Sequence, residues 1–390
     1  MKLLFIHDHP FYQEQNYIYS GGGLPARVWN NYLSSFEKIE VIGRKSNNTR
    51  DKQVLSSNDN YVTFYLIERY SSINALFFNF RKIKKTIESR ILLNEIIILR
   101  LPSILGFIAG YICTRKKIPF VVEQVGNARE ALSSYKSFLG KIIAPIFHSY
   151  NKKLVRKAPY VIYVTKKKLQ KDYPTKGKTE SISNVIIPTI LSVDLVEDFR
   201  FTEKKMKIAL IGGFDAKYKG QDILLRAIFL LPTSVRENIE LYFIGKGDYK
   251  WIELLSEELC LKNNIKFIGG LQAGNEIFNM LQQMSLYVQP SFTEGMPRAM
   301  LEGMSMGCPV LASNVGGIPD ILENEMLHKP GDFQRLSSQI LSFYNNRNLL
   351  IEESEKNLKR VLPYLKDNLD KKRKAFFELM IKEIGNENKT

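Results

Sequence analysis

The chain of 390 residues is poor in cysteine and histidine and has no long uninterrupted apolar run. Its three cysteines, Cys113, Cys260 and Cys308, are odd in number, far apart and set in apolar segments. That argues against a disulfide framework or a zinc site and for reduced core thiols in a cytoplasmic protein. Met1 and Lys2 are followed by only four apolar residues before His7 and Asp8, too few for the core of a signal peptide. The most apolar stretch, Ile91 to Cys113, is broken by Glu95, Arg100 and Pro102, and reads as a buried strand followed by a helix rather than a membrane span. No Gly/Ser-rich or Pro-rich tract is long enough to form a disordered arm.

What is present is the composition of a globular protein, 44% hydrophobic and 25% charged, at a length that suits two domains. Short β-branched runs alternate with helical patterns: Leu3–Ile6, Ile39–Ile42, Val62–Ile67, Ile96–Leu99, Phe120–Val122 and Tyr160–Val164. The rhythm restarts with Ile208–Ile211, Leu241–Ile244, Ile265–Ile268, Leu286–Gln289 and Val310–Ala312. Near-continuous apolar strands separated by helices indicate parallel sheets covered on both faces, hence an α/β fold of two doubly wound, Rossmann-like domains. The expected division is a first domain over 1–186, a linker over 187–205, a second domain over 206–365 and a terminal helix over 366–390. In that helix Leu369, Phe376, Phe377, Met380 and Ile384 form an apolar stripe that packs back on the protein.

The formal net charge is +16, and it is unevenly spread. Residues 1–200 hold 31 Lys and Arg against 16 Asp and Glu, so the first part carries +15 and the remainder +1. Three clusters dominate: Arg81, Lys82, Lys84, Lys85; Lys152, Lys153, Arg156, Lys157; and Lys166, Lys167, Lys168, Lys171. Apolar residues from Phe138 through Ile142, Ile143, Ile146, Phe147 and Tyr150 flank the second cluster. A basic amphipathic helix can lie on an anionic membrane; the alternative is that its apolar face is core and its lysines are solvated. No nucleic-acid motif or aromatic ladder accompanies the charge, so nucleic acid is not expected as a partner.

Chemistry concentrates in the second half. Pro290-Ser291-Phe292-Thr293-Glu294-Gly295-Met296-Pro297-Arg298, then Ala299-Met300-Leu301-Glu302-Gly303, follows the Leu286–Gln289 strand, at the edge where α/β domains place ligands. Pro297 suits a helix start, whose free N–H groups can hold a diphosphate. Glu294 and Glu302 stand at that mouth, where each could instead be a cap or a surface carboxylate. The loop Gly212-Gly213-Phe214-Asp215-Ala216-Lys217-Tyr218-Lys219-Gly220 also links a strand to a helix, and its lysines can neutralise phosphate.

The segment Pro290 to Asp320, with Ser313-Asn314-Val315-Gly316-Gly317-Ile318-Pro319-Asp320 at its end, resembles the retaining glycosyltransferases of family four, which have the GT-B fold: two Rossmann-like domains facing a central cleft. The family carries a Glu, seven residues and a second Glu, then a Ser-x-x-Gly-Gly-x-Pro-Glu segment; here Asp320 replaces the last Glu. The resemblance implies that Glu294 contacts the hydroxyls of the donor sugar and Glu302 the ribose hydroxyls. Lys219 matches the family's phosphate lysine, but Gly213 stands where its arginine is usual, so Arg298 or Lys217 must supply the second cation, with Arg298 preferred. Gly212, Gly213, Gly245, Leu271, Gly295, Met296 and Pro297 complete the expected donor contacts, and Glu294, Lys219 and Arg298 the catalytic group.

In the first half, Gly21, Gly22 and Gly23 form a family-like glycine loop. The position after the Phe120–Val122 strand lacks the family's usual His and offers Glu123 and Gln124 on the acceptor side; His7 and His9 are read as structural or assisting groups. The implied reaction moves a hexose-type sugar, with retention, from a nucleoside-diphosphate sugar, UDP favoured over GDP. The acceptor is a glycan, lipid-linked, at the inner face of a bacterial membrane in capsule, exopolysaccharide or lipopolysaccharide assembly. No cofactor or metal is implied, and the chain lacks an Asp-x-Asp pair. The competing readings are a non-catalytic sugar-nucleotide or membrane-binding protein, and a glycoside hydrolase or phosphorylase; for hydrolysis a phosphate-binding loop has no use.

Overall fold

A computed structural model describes residues 1–21, 23–46, 55–68, 73–129, 138–192 and 205–387. The chain divides into two compact units, Met1–Asn184 with Asp370–Thr390, and Val185–Leu369.

In the first unit the parallel strands are β1 (Lys2–Glu14), β3 (Lys38–Ser46), β5 (Val62–Ile67), β6 (Ile96–Leu101), β7 (Val121–Gln124), β8 (Tyr160–Tyr163) and β9 (Lys178–Ser181). They lie side by side as β5-β3-β1-β6-β7-β8-β9, so the chain winds outward from β1 first one way and then the other. Alternate residues of each strand serve opposite faces. Leu4, Ile6, Ile97 and Leu99 join a core with Ile83, Ile87, Ile108 and Ile112 of the helices Ile73–Ile91 and Ile104–Lys116. Phe5, from the other face, meets Trp29 and Tyr32 edge to face at 5.6 and 5.4 Å.

The terminal helix, Lys366–Glu387, completes that second face. All five residues of its expected stripe are buried, and Phe377 packs on Phe36 and Tyr32 with ring centroids 5.1 and 6.1 Å apart. At the far end Glu383 accepts from Tyr160 Oη at 2.8 Å and pairs with Lys178.

Three sequence expectations need correction here. The opening strand runs on to Glu14, with a register break between Ile6 and Pro10, and returns antiparallel as β2 (Tyr17–Ser20), which pairs with β4 (Leu55–Ser56). The glycine loop thus follows this return strand rather than the opening one, and of its three glycines Gly22 lies outside the described residues. Cys260 is exposed with φ of 55°, not a core thiol, whereas Cys113 and Cys308 are buried. On the helix Phe138–Lys157, Tyr150 and Phe147 pack edge to face on Phe107, so that part of its apolar face is core, while Ile146 is 66% exposed. The side chains of Phe138, Ile142 and Ile143 lie outside the described residues, as do residues 193–204 of the expected linker. Among the described residues no helix is long and apolar enough to cross a membrane.

The second unit is a six-stranded, wholly parallel sheet of β10 (Met206–Ile211), β11 (Ile239–Ile244), β12 (Ile265–Gly269), β13 (Leu286–Gln289), β14 (Val310–Ser313) and β15 (Leu327–His328), ordered β12-β11-β10-β13-β14-β15. The order reverses between β10 and β13, the crevice where open α/β sheets bind ligands. The loops that leave these two strands are tied together. Phe292 N–H donates to Tyr218 O at 2.8 Å, and Gly220, with φ of 76°, lies so close to Pro290 that an added Cβ would sit 2.2 Å from its carbonyl oxygen. A third loop braces the second: Gly317 N–H donates to Gly295 O at 2.8 Å, and a Cβ on Gly316, φ 55°, would sit 2.0 Å from Glu294 O. Behind them the helix Arg298–Ser305 is anchored through its exit, where Asn357 Nδ2 donates to Cys308 O at 2.8 Å and Ser354 to Gly307 O.

Two outcomes follow. Phe377→Ala leaves a cavity under the terminal helix and destabilises the first unit by about 3–5 kcal/mol, read from urea unfolding. Gly316→Ala forces a left-handed backbone and a carbonyl clash together, and lowers the stability of the second unit by roughly 1–3 kcal/mol in the same measurement.

Candidate functional site

The reversal point of the second sheet brings Lys219 and Glu294, 75 residues apart in sequence, into an ion pair with Nζ to Oε1 at 2.7 Å. Lys219 ends the short turn Lys217–Lys219 after β10, and Glu294 sits in the loop after β13. The Glu294 oxygen that meets Lys219 also accepts from Gln289 Nε2 at 2.9 Å and from Ser291 Oγ at 2.7 Å. Gln289 in turn accepts from Tyr287 Oη at 2.6 Å.

Beyond Glu294, Gly295 is exposed, Met296 half-buried and Pro297 buried as the residue that precedes the helix Arg298–Ser305. Pro297 offers no side-chain cap, so the first N–H groups of this helix are left to point outward from its start. Arg298 is exposed at that start, and Glu302 follows one turn later on the same side. Glu302 is only 8% exposed, and among the described residues its carboxylate has no hydrogen-bond donor. Burial raises its pKa, and the charge of Arg298 pulls it back down. The two carboxylates are therefore prepared differently: Glu294 is held by fixed donors, whereas Glu302 is desolvated and unpartnered.

The neighbouring loops assemble around them. Gly212 N–H donates to Ile244 O at 2.9 Å, and Gly245 N–H to Gly269 O at 2.8 Å, so the turns after β10, β11 and β12 step across the sheet edge in contact. Gly213 is exposed, and its carbonyl accepts from Gln221 Nε2 at 3.2 Å. Lys217 is exposed with its Nζ over the Trp251 ring, 5.1 Å from the centroid, whereas Lys219 reaches Glu294. Of the two cations offered for the place of the usual arginine, Arg298 is the one beside Glu302. Leu271 is half-buried against the core of the second unit.

The residues expected on the acceptor side are scattered within the first unit. Glu123 lies inside the fold, where it accepts from Tyr32 Oη at 2.9 Å and pairs with Arg100 at 3.4 Å. Gln124 is fully buried and donates to Gly126 O at 2.8 Å. Glu123 thereby ties β7 to β6 and to the helix Asn30–Leu33, whereas the Gln124 bond is local and leaves its Oε1 buried without a hydrogen-bond partner among the described residues. His9 meets Ser20 Oγ at 2.7 Å, and Gly23 packs against its ring, so the glycine loop is organised around His9 while Gly21 stays exposed. Burial, with Arg100 and Arg44 nearby, lowers the His9 pKa to about 4, and burial lowers that of His7 to about 3, so both rings are neutral near pH 7. Asp8 caps the helix Ile104–Lys116 through the Ile104 and Leu105 N–H groups.

Sequence reasoning missed Tyr287, Gln289 and Ser291 as partners of Glu294. Their signal is a polar residue at every second position of an otherwise apolar strand, which places all three on one side of the extended chain.

Comparison with known proteins identifies the family. Residues 195–361 match the model of the family described as glycosyl transferases group 1. Protein CapJ of Staphylococcus aureus is 34% identical over 370 residues, covering 95% of this chain and 93% of the relative. The lipopolysaccharide glucosyltransferase WaaG of Escherichia coli is 27% identical over a shorter span, 37% of this chain and 36% of its own. Among solved structures, Anabaena Alr3699/HepE in complex with UDP aligns over 99% of this chain and 100% of its own, with a TM-score of 0.65 at 15% identity, a likeness of fold. The chain belongs to the group 1 glycosyltransferases, enzymes of GT-B fold.

Proposed function

We propose that the protein transfers a hexose-type sugar from a nucleoside-diphosphate sugar, a UDP-sugar in preference to a GDP-sugar, onto a lipid-linked glycan in bacterial cell-surface polysaccharide synthesis, with retention at the anomeric carbon. The observation that carries the donor half is the pairing of Lys219 with Glu294 at the reversal point, beside a buried Glu302 that lacks a donor of its own. A carboxylate in that state is completed by a ligand that brings hydroxyl donors, and the ribose diol is such a ligand. Glu294 meets the hydroxyls of the transferred sugar. Lys219, Arg298 and the open helix start share the charge that grows on the departing diphosphate, so that fixed dipoles and cations rather than water stabilise it. The solved relative that holds UDP supports the base preference. The lipopolysaccharide transferase among the relatives, together with the +15 charge of residues 1–200, supports an acceptor at an anionic membrane surface.

A thermal-shift panel of UDP, GDP and ADP with their common sugar conjugates, without added metal, tests the donor half. One nucleotide stabilises the wild type, and Glu302→Ala weakens it about tenfold or more; an unaltered affinity in that variant would remove the ribose from Glu302. With a turned-over donor, the glycosidic bond formed carries the anomeric configuration of the donor by NMR, and inversion would refute retention. Glu302 accepts a pair of hydroxyls on both its oxygens, with charge-assisted strength, only when ionised, so affinity for the nucleotide sugar falls as pH drops through its raised pKa. Arg298→Gln removes the opposing charge and moves that fall to higher pH; coincident profiles would detach Arg298 from Glu302.

A further inference from the structure

Glu294 has two carboxylate oxygens in unequal circumstances. Oε1 receives Lys219 Nζ at 2.7 Å, Ser291 Oγ at 2.7 Å and Gln289 Nε2 at 2.9 Å. Three donors exhaust one oxygen, while Oε2 has none among the described residues. The arrangement is directional. Gln289 is 1% exposed, and its amide oxygen is taken by the Tyr287 hydroxyl at 2.6 Å. Turned over, that amide would press its oxygen against Glu294 Oε1, acceptor on acceptor, and its nitrogen would face Tyr287. Ser291 Oγ accepts the second Gln289 N–H at 2.8 Å, which leaves its own hydrogen for Glu294. Ser313 Oγ donates to the Ser291 carbonyl and so holds the loop that carries the relay. Tyr287, Gln289 and Ser291 are each buried to 1% exposure or less.

We infer that Gln289, oriented by Tyr287 and continued by Ser291, is a positioning residue that locks Glu294 so that Oε2 alone is offered to the ligand. The offered group is a bare anionic acceptor, so the matching position of the ligand carries a hydrogen-bond donor, a sugar hydroxyl or amide N–H. A carboxylate or a deoxy carbon there leaves Oε2 unpaired or repelled. Lys219 keeps two of its three N–H donors after meeting Glu294, so the pair that sets the carboxylate does not withdraw the lysine from phosphate. The inference rests on the reading of Glu294 as the contact to the donor sugar, and its test separates the two.

The readout is the ratio of affinities for a nucleotide sugar and for the bare nucleoside diphosphate, by calorimetry, with UDP, GDP and ADP and their glucose, galactose and N-acetylglucosamine conjugates as probes. Gln289→Leu lowers that ratio roughly tenfold while leaving the affinity for the bare nucleotide unchanged. Ser291→Ala and Tyr287→Phe, which remove single hydroxyls, lower it severalfold and serve where Gln289→Leu does not fold. A purely structural role would weaken nucleotide and nucleotide sugar together and leave the ratio intact, which overturns the proposal. If Glu294→Ala collapses the ratio but the three relay variants do not, the positioning role alone is wrong. If Glu294→Ala preserves the ratio, or no probe binds the wild type, the sugar-contact reading falls and the inference with it.

Discussion

The parallel pairing of β10 with β13, through Ile208 with Leu286 and Ala209 with Tyr287, is the contact on which the Lys219–Glu294 site depends. These two strands are neighbours in space but are separated in sequence by β11 and β12. Each sends its following loop toward the same strip of sheet edge and its following helix to an opposite face. The strip between them is left uncovered, and the loops that border it bring Lys219 from one side and Glu294 from the other. The close approaches of Gly220 to Pro290 and of Gly316 to Glu294 then keep the three loops at contact distance. A side chain at either point would meet a backbone oxygen at 2.2 or 2.0 Å, so the loops could not keep their present approach.

Within that strip, burial and charge separate two carboxylates that sequence alone would treat alike. Glu294 is ringed by a cation and two neutral donors, all delivered by residues whose own positions are settled by buried hydrogen bonds. Glu302, on a helix, is removed from water with no such donors, and its ionised form is disfavoured except for the help of Arg298. A group with every partner in place holds a geometry, whereas a desolvated group without partners has much to gain from a ligand. The same sheet edge thus holds one carboxylate in place and leaves the other without a donor among the described residues.

The first unit uses the same winding order to a different end. Asp8, at the register break of β1, and Glu123 and Gln124, at the end of β7, are turned inward onto a helix start, Tyr32, Arg100 and the Gly126 carbonyl. Asp8 and Glu123 thereby satisfy buried donors, whereas Gln124 Oε1 is buried without a partner among the described residues. Its surplus of positive charge lies on helices and turns whose apolar sides are only partly taken up by core, as Ile146 shows. One winding pattern therefore carries an edge where loops bring Lys219 to Glu294 in one unit, and strand-end polar groups turned into the fold in the other.

Much of this was legible from the chain itself. Apolar runs of four to six residues, spaced by helical patterns, announce parallel strands because both faces of such strands are buried. The Glu, seven residues, Glu spacing and the paired glycines carried the family resemblance and so singled out the loops after β10, β13 and β14 as candidates. The return strand after β1 was not legible, because a short tyrosine-rich pairing has no apolar periodicity; nor was the exposure of Cys260, because local hydrophobicity does not say which side of a turn faces water. Glu123 had the right chemistry for a site but is engaged by tertiary contacts with Tyr32 and Arg100, and Gln124 is fully buried. Sequence by itself determined which elements form and which residues could bind a sugar nucleotide, because periodicity and residue chemistry are local. Tertiary structure decided which of those residues meet, and which oxygen of Glu294 is left free, because both depend on donors brought from strands and loops far apart in the chain.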